Sequence, residues 1–348
     1  MTLLVHLEDP GAVRFVAPLL GRLAEDCVDY TLFTSGVANE MLESLAPRSV
    51  AVFDDVADDL VRSSQVLVGT SENTSTIAFD IIRSAQKAGI PVIGAVDAFV
   101  NAPHRFAGDT HDPLAHAPDW LMVPNERTAD AFAELGFLRE QIFVVGHPAR
   151  DGLEHMDRPE RSDATKRVVF VSEVSTGLDP DQYRKSDAYT LHGRGGSGLR
   201  TPIVVEELLD AITSLRRSGW RIELVLRLHP KETRDDLGPL VHEFDTVSSG
   251  GDPLELLQSV DLVIGMSSML LSEAHAMGLP CLAILPREEE RQWLDETAYG
   301  SLKSITMRND IPPSIARLLV KQVGSSRLTE KSQAYSVKKM LNALAVAN

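Results

Sequence analysis

Cysteine is scarce in this chain of 348 residues, with only Cys27 and Cys281. Both lie in apolar surroundings and are expected to be buried, inert thiols, so no disulfide framework is implied. A chain of this length needs no such staple to bury a core, and it suffices for about two domains. Basic residues are also short: 34 Lys plus Arg stand against 50 Asp plus Glu, a net charge of −16. So acidic a surface repels phosphate backbones and anionic lipid, which argues against nucleic-acid or membrane binding by bulk charge. Uncharged apolar runs of about 18 residues are missing, so no transmembrane segment is expected. The N-terminus MTLLVHLEDPGA lacks a basic start and meets acid at Glu8 and Asp9, unlike a signal peptide. A cytoplasmic protein is expected.

What is present is alternation. Short β-rich runs at 2–7, 29–34, 51–53, 66–69, 90–96, 120–124 and 142–146 are separated by helical patterns near 12–25, 36–45, 74–88 and 126–135. Such an order predicts a mainly parallel sheet covered by helices. Residues 151–166 are polar and read as a linker. A second α/β half then runs through strands at 168–172, 222–229, 262–266 and 280–285, with helices at 202–217 and 269–278. Between them, 173–200 is a long glycine-bearing loop of the kind that is functional or disordered. A last helix near 327–345 is long enough to cross back to the first half.

The expected fold is α/β, with two Rossmann-like doubly wound domains at 1–152 and 166–326 and a crossing helix at 327–348. Ligands of such sheets bind at the carboxyl ends of the strands, which places the expected site in a cleft between the halves.

The segment DLVIGMSSMLLSEAHAMGLPCLAIL (261–285) is the most informative. A strand runs into Gly265, Met266, Ser267 and Ser268, which open a helix at Met269. Free N–H groups and the dipole at a helix start attract anions. Glu273 lies about 8 Å further along at the helical rise, where a carboxylate can accept from both hydroxyls of a ribose. The plain alternative for the serines is helix capping. Arg227 and His229 share one face of the strand LVLRLH and are candidates for the same anion, with a surface ion pair and a strand-ending turn as their alternatives. Gly11 frees the turn after the first strand for close approach. Asp97, at the end of IPVIGAV, is a candidate general base, with a turn cap as its alternative. Glu72 stands in a similar place after VLVGT. His104 and Arg105 follow in a polar loop and are candidates for orienting an anionic acceptor. His111, Asp112 and His116 do not share a helix face, so no metal site is expected.

The run strand–GxSS–xxxxEAxxxGxP–strand resembles the nucleotide-binding motif of GT-B fold proteins, which include nucleotide-sugar glycosyltransferases and non-hydrolysing UDP-N-acetylglucosamine 2-epimerases. DPG (9–11), VLVGTSENTSTIAFDIIRSAQKAGIPVIGAVDAF (66–99), IFVVGHPARDGL (142–153) and LRLHPKE (226–232) resemble further family segments in the same order. The resemblance implies that Ser267, Ser268 and Met269 hold a donor diphosphate and Glu273 its ribose. Where the epimerases carry GDT and EAGLRT runs, this chain has Gly69-Thr70-Ser71 and Asp97-Ala98-Phe99. Their second-domain histidine has no match after VVFVS. A UDP-type glycosyltransferase in polysaccharide or glycoconjugate biosynthesis is therefore the first expectation, with a small or glycan acceptor and Asp97 and Glu72 as catalytic residues. No cofactor is expected beyond the nucleotide-sugar substrate, and a homodimer stays open. The alternative is a 2-epimerase or hydrolase using Glu72, Asp97 and His147 as acid and base, or a non-catalytic nucleotide-sugar-binding protein.

Overall fold

The structure, a computed structural model, describes residues 2–71, 73–151, 153, 164–175, 177, 179–294, 302–320 and 335–347. The chain divides into two compact units, Met1–Gly152 with Glu330–Asn348 and Leu153–Thr329.

The first unit is built on seven parallel strands: β1 (Leu3–Leu7), β2 (Tyr30–Thr34), β3 (Arg48–Ser49), β4 (Gln65–Gly69), β5 (Val92–Ala95), β6 (Trp120–Val123) and β7 (Ile142–Val144). They lie in the order β3-β2-β1-β4-β5-β6-β7. The strands β1 and β4 are buried throughout, as expected of runs such as LLVHL and QVLVG with helices on both faces. The helices are α1 (Pro10–Glu25), α2 (Ala38–Met41), α3 (Asp54–Arg62), α4 (Ala78–Lys87) and α5 (Glu126–Glu134). In α1 the apolar stripe Val13, Val16, Leu19, Leu20, Leu23 faces the sheet, and Pro10 occupies the first turn, where a missing N–H costs nothing.

The second unit has six parallel strands: β8 (Lys166–Val171), β9 (Ile222–Arg227), β10 (Thr246–Ser248), β11 (Leu262–Gly265), β12 (Cys281–Ile284) and β13 (Lys303–Ile305). Their order is β10-β9-β8-β11-β12-β13, the 3-2-1-4-5-6 arrangement of a dinucleotide-binding fold. The helices α6 (Pro180–Tyr183), α7 (Arg200–Arg217), α8 (Pro253–Gln258), α9 (Met269–Ala276) and α10 (Ile311–Val320) pack around it. A continuous core joins Val168, Phe170, Leu224, Leu226, Val263 and Leu282 to Leu208 and Ile212 of α7. Helix α11 (Tyr335–Val346) returns to the first unit, where Val337, Met340, Ala343 and Leu344 pack beside α1.

The two doubly wound sheets are those expected, but several details differ. Residues 51–53 form no strand; the chain pairs with β2 only at Arg48–Ser49, then bends into α3. That helix was hidden by its acidic sequence DDVADDLVR, in which only Val56 and Leu60 are buried. Cys27 is exposed rather than buried, because it sits with φ 55° in the turn that ends α1, while Cys281 is buried in β12. The expected helix at 36–45 is one short α-turn followed by a 3-10 turn. The last helical stretch begins at Tyr335 where described; α10 precedes it and was not anticipated. Much of the linker at 151–166 lies outside the described residues.

The loop after β8 is an ordered excursion over most of its length. Arg184 bridges Leu199, and Thr190 N–H donates to Pro286 O at 2.8 Å. The N–H groups of Gly193 and Arg194 donate to Glu207 and Glu206 of α7 at 2.8 and 2.6 Å. These ties fasten residues 190–194 to α7 and to the end of β12.

Candidate functional site

In an open parallel sheet the ligand position is where the strand order reverses. In the first unit that point lies between β1 and β4, and it collects Gly11, Thr70 and, from β5, Asp97. Gly11 is the second residue of α1, and a Cβ there would lie 1.9 Å from Asp97 Oδ2. Glycine is thus what lets the Asp97 carboxylate come down onto the start of α1. Arg105 Nη1 stands 3.4 Å from Asp97 Oδ1 and 3.4 Å from Thr70 Oγ1, while its Nε donates to Val100 O. Arg105 is buried, and Asp97 keeps partial exposure. The carboxylate therefore faces one guanidinium at ion-pair distance and packs against the start of α1, with its buried Oδ1 not hydrogen-bonded. His104 is exposed in the turn before Arg105. Glu72 lies outside the described residues. His147 is buried with neither ring nitrogen hydrogen-bonded, edge-on to Phe15; burial, with Arg150 and Arg14 nearby, pulls its pKa well below the usual histidine value. His116 stacks on Phe79 at 4.4 Å, a packing role.

In the second unit the switch point lies between β8 and β11. Ser268 caps α9, its Oγ accepting from Leu270 N–H at 3.2 Å. Ser267 and Met269 are partly exposed beside it, and Glu273 is fully buried. The N–H of Ser267 is already engaged: it donates to Glu173 Oε1 at 2.5 Å, and the Ser267 hydroxyl donates to Glu173 Oε2 at 3.0 Å. Glu173 leaves β8 two residues after its end. A third donor is Arg200 Nη1, at 2.8 Å from Glu173 Oε2. Arg200 is buried at the start of α7, reaches Ser267 Oγ at 3.2 Å, and pairs with Glu290 at 2.7 Å. Burial opposes the charge of Arg200, but Glu173 and Glu290 more than offset it and raise its pKa. Glu290 also accepts from Arg287 Nε at 3.0 Å, and its carboxyl is raised by burial against the pull of the two arginines. Arg287 stacks near Tyr189 and Trp293.

The strand end of β9 does something else. Arg227 is buried and donates to Ser248 Oγ and to the carbonyls of Gly250 and Gly251, bracing the loop after β10. His229 is partly exposed; its N–H donates to Glu232 Oε2, and its Nδ1 accepts from Lys231 N–H. Glu232, raised by burial, also accepts from Ser172 Oγ at 3.0 Å.

Glu173, Arg200, Arg287 and Glu290 thus form a charged cluster that sequence reasoning missed. The available signal was position: Glu173 directly follows the buried run VVFVS, and REEER follows PCLAIL after a single proline, Pro286, both at strand ends. Among the described residues no group of His, Cys, Asp and Glu is placed to hold a metal ion, and no helix is long and apolar enough to cross a membrane.

The family model described as UDP-N-acetylglucosamine 2-epimerase matches residues 113–341. The chain belongs to that family. At the level of family this supports the alternative, a 2-epimerase, better than the first expectation, a glycosyltransferase. The UDP-GlcNAc 2-epimerase from Methanocaldococcus jannaschii superposes with a TM-score of 0.64 at 12% identity, covering 99% of this chain and 100% of that one. The Neisseria meningitidis UDP-GlcNAc 2-epimerase bound to UDP-GlcNAc gives 0.63 at 13%, covering 100% of both chains. Anabaena HepE in complex with UDP-glucose gives 0.60 at 13%, covering 100% of this chain and 94% of that one. At these identities the likeness is one of fold, and it establishes the GT-B architecture. No curated protein matches the chain in sequence.

Proposed function

We propose that the protein acts on a UDP-linked N-acetylhexosamine, inverting it at C2 with transient release of UDP. The observation that carries this reading is the epimerase-family match over 113–341. Inversion at C2 requires the C2–H bond to break. Loss of UDP from the neighbouring C1 takes up the electron pair as a C1–C2 double bond, and delivery of a solvent-exchangeable proton from an acid on the other face, with re-addition of UDP to C1, completes the exchange. Three groups are needed: an oriented base on one face of C2, an acid that delivers a proton to the opposite face, for which Glu72 is the sequence candidate, and a site that stabilises a leaving diphosphate. The Asp97 carboxylate, set by Arg105 against α1, is the proposed base. The start of α9 at Ser267, Ser268 and Met269, with Arg200 beside it, is the proposed diphosphate site, where donors meet the charge as it develops. Glu273 is kept as the proposed ribose partner, and Gly11, His104, Arg227 and His229 as supporting residues of the two strand-end regions. UDP-sugar is a substrate here, and no further cofactor is invoked.

A second reading is glycosyl transfer from the same donor. It is favoured by one observation: the run VVFVS is followed directly by Glu173, with no histidine to match the one the resemblance leads one to expect there.

Incubation with UDP-N-acetylglucosamine alone in D2O separates the two. Epimerisation puts deuterium at C2 and yields the C2 epimer or free UDP without any acceptor. Asp97→Asn should lower that exchange by about 10²-fold or more. Sugar left unlabelled and intact until an acceptor is added would defeat the epimerase reading and support transfer.

A further inference from the structure

The carboxylate at the mouth of α9 occupies a place built for an anion. Three donors converge on Glu173: the Ser267 N–H, the Ser267 hydroxyl and Arg200 Nη1. The starts of α7 and α9 both lie there, and each carries positive dipole charge. Arg200 itself stands at the first residue of an 18-residue helix, where the dipole opposes a cation. A buried arginine in such a place is stable only against anions, and its two partners are not alike. Glu290 is fully enclosed and shared with Arg287. Glu173 stands at the rim, its side chain 14% exposed, while its backbone carbonyl is held by Thr201 Oγ1 at 2.8 Å. Rotation of the side chain alone would release the donors and leave the backbone in place.

Charge distinguishes two ways for a diphosphate to enter. Arg200 and Arg287 balance Glu173 and Glu290, so the cluster is neutral as it stands. A diphosphate entering with Glu173 in place would set an uncompensated dianion beside a carboxylate that already holds the donors it needs. Entry with Glu173 displaced gives the phosphate those donors and removes one negative charge from the cluster.

We propose that the Glu173 side chain is an internal stand-in for the substrate's phosphate, which must swing away before a nucleoside diphosphate can bind at α9. This rests on the nucleotide-sugar reading above. Its consequence is quantitative: the apparent affinity equals the intrinsic affinity reduced by the fraction of molecules in which Glu173 is out. Glu173 therefore sets how tightly the protein holds a diphosphate and how readily it lets one go.

The test titrates the full-length protein, Glu173→Gln and Glu173→Ala with UDP and, separately, with inorganic pyrophosphate, by calorimetry. Both variants should bind both probes at least tenfold more tightly than the wild type. Equal or weaker binding by the variants, with measurable binding by the wild type, overturns the stand-in and leaves the nucleotide-sugar reading intact. Absence of UDP binding in all three proteins overturns both. Because Glu173→Ala leaves Arg200 with one carboxylate fewer and can cost folding, a crystal structure of the wild type with UDP provides an independent readout. It should show Glu173 no longer hydrogen-bonded to the Ser267 N–H; retention of that bond with UDP seated at α9 would refute the proposal.

Discussion

Gly11 shows how one missing side chain can shape a site. The residue has helical backbone geometry that alanine would adopt without strain, and in an ordinary helix alanine would be preferred by about 1 kcal/mol. Here the Asp97 Oδ2 atom fills the space of the absent Cβ. Gly11→Ala should push the carboxylate off the start of α1 and loosen its pairing with Arg105, at a stability cost of about 1–3 kcal/mol. Turnover of UDP-N-acetylglucosamine should fall by about 10²-fold, with the fold retained by circular dichroism; undiminished turnover would remove Asp97 from the chemistry. A second residue carries a pH signature. His6 is wholly buried in β1, with Nε2 3.2 Å from Ser35 Oγ, and burial lowers its pKa from 6.5 to about 4. The unfolded chain therefore takes up this proton before the folded one does. Stability is intact above pH 6.5 and declines as the pH falls toward 4, by about 1.4 kcal/mol per unit and about 3 kcal/mol in all. His147, lowered for the same reason, acts in the same direction. Urea unfolding across that window should show the decline, and His6→Gln should flatten it; an identical slope in the variant would assign the acid sensitivity elsewhere.

At the scale of elements, legibility followed burial on both faces. Runs such as LLVHL, VVFV and LVIG are strands because nothing else buries so many branched apolar residues in so few positions. Their alternation with helices gave the two doubly wound sheets in order. Elements with little apolar content escaped: α3 buries two side chains, and β3 and β13 are edge strands of two or three residues. The functional regions divide along the same line. Gly11, Asp97 and Ser267 could be singled out because they end strands or open helices. Glu173, Arg200 and Glu290 could not be joined from sequence, since 27 and 90 positions separate their hydrogen-bonded pairs and only the folded sheet brings β8, α7 and the end of β12 together. The sequence offered Arg227 either a diphosphate or a surface ion pair, whereas the fold gave it three acceptors in the loop after β10. Helix α11 was expected to return to the first unit, and its anchor is local: Asp151 accepts from the Ser336 N–H at 2.8 Å and from its hydroxyl at 3.0 Å, satisfying the start of the helix.

For the whole molecule, the distribution of apolar contacts sets how it should unfold. Among the described residues, the core of the second unit, from Leu153 through Leu319, contains no residue of the first. The first unit has its own two clusters on the two faces of its sheet, one of which takes in α11. Each unit therefore buries enough to melt as its own cooperative body. The proposed diphosphate contacts, from Ser267 to Arg200, belong entirely to the second. A ligand bound only by the native form of one body stabilises that body, by about 2.7 kcal/mol at a hundredfold excess over its dissociation constant. For a unit of this size that is a shift of roughly 5–10 °C. Scanning calorimetry of the full chain should resolve two transitions, with UDP raising one and leaving the other near its original temperature. The raised transition should be the one lowered by Arg200→Ala, which strips the buried Glu290 and the half-buried Glu173 of their shared partner. A UDP shift confined to the transition that Arg200→Ala leaves alone would move the diphosphate site to the first unit and undo the division of labour proposed here.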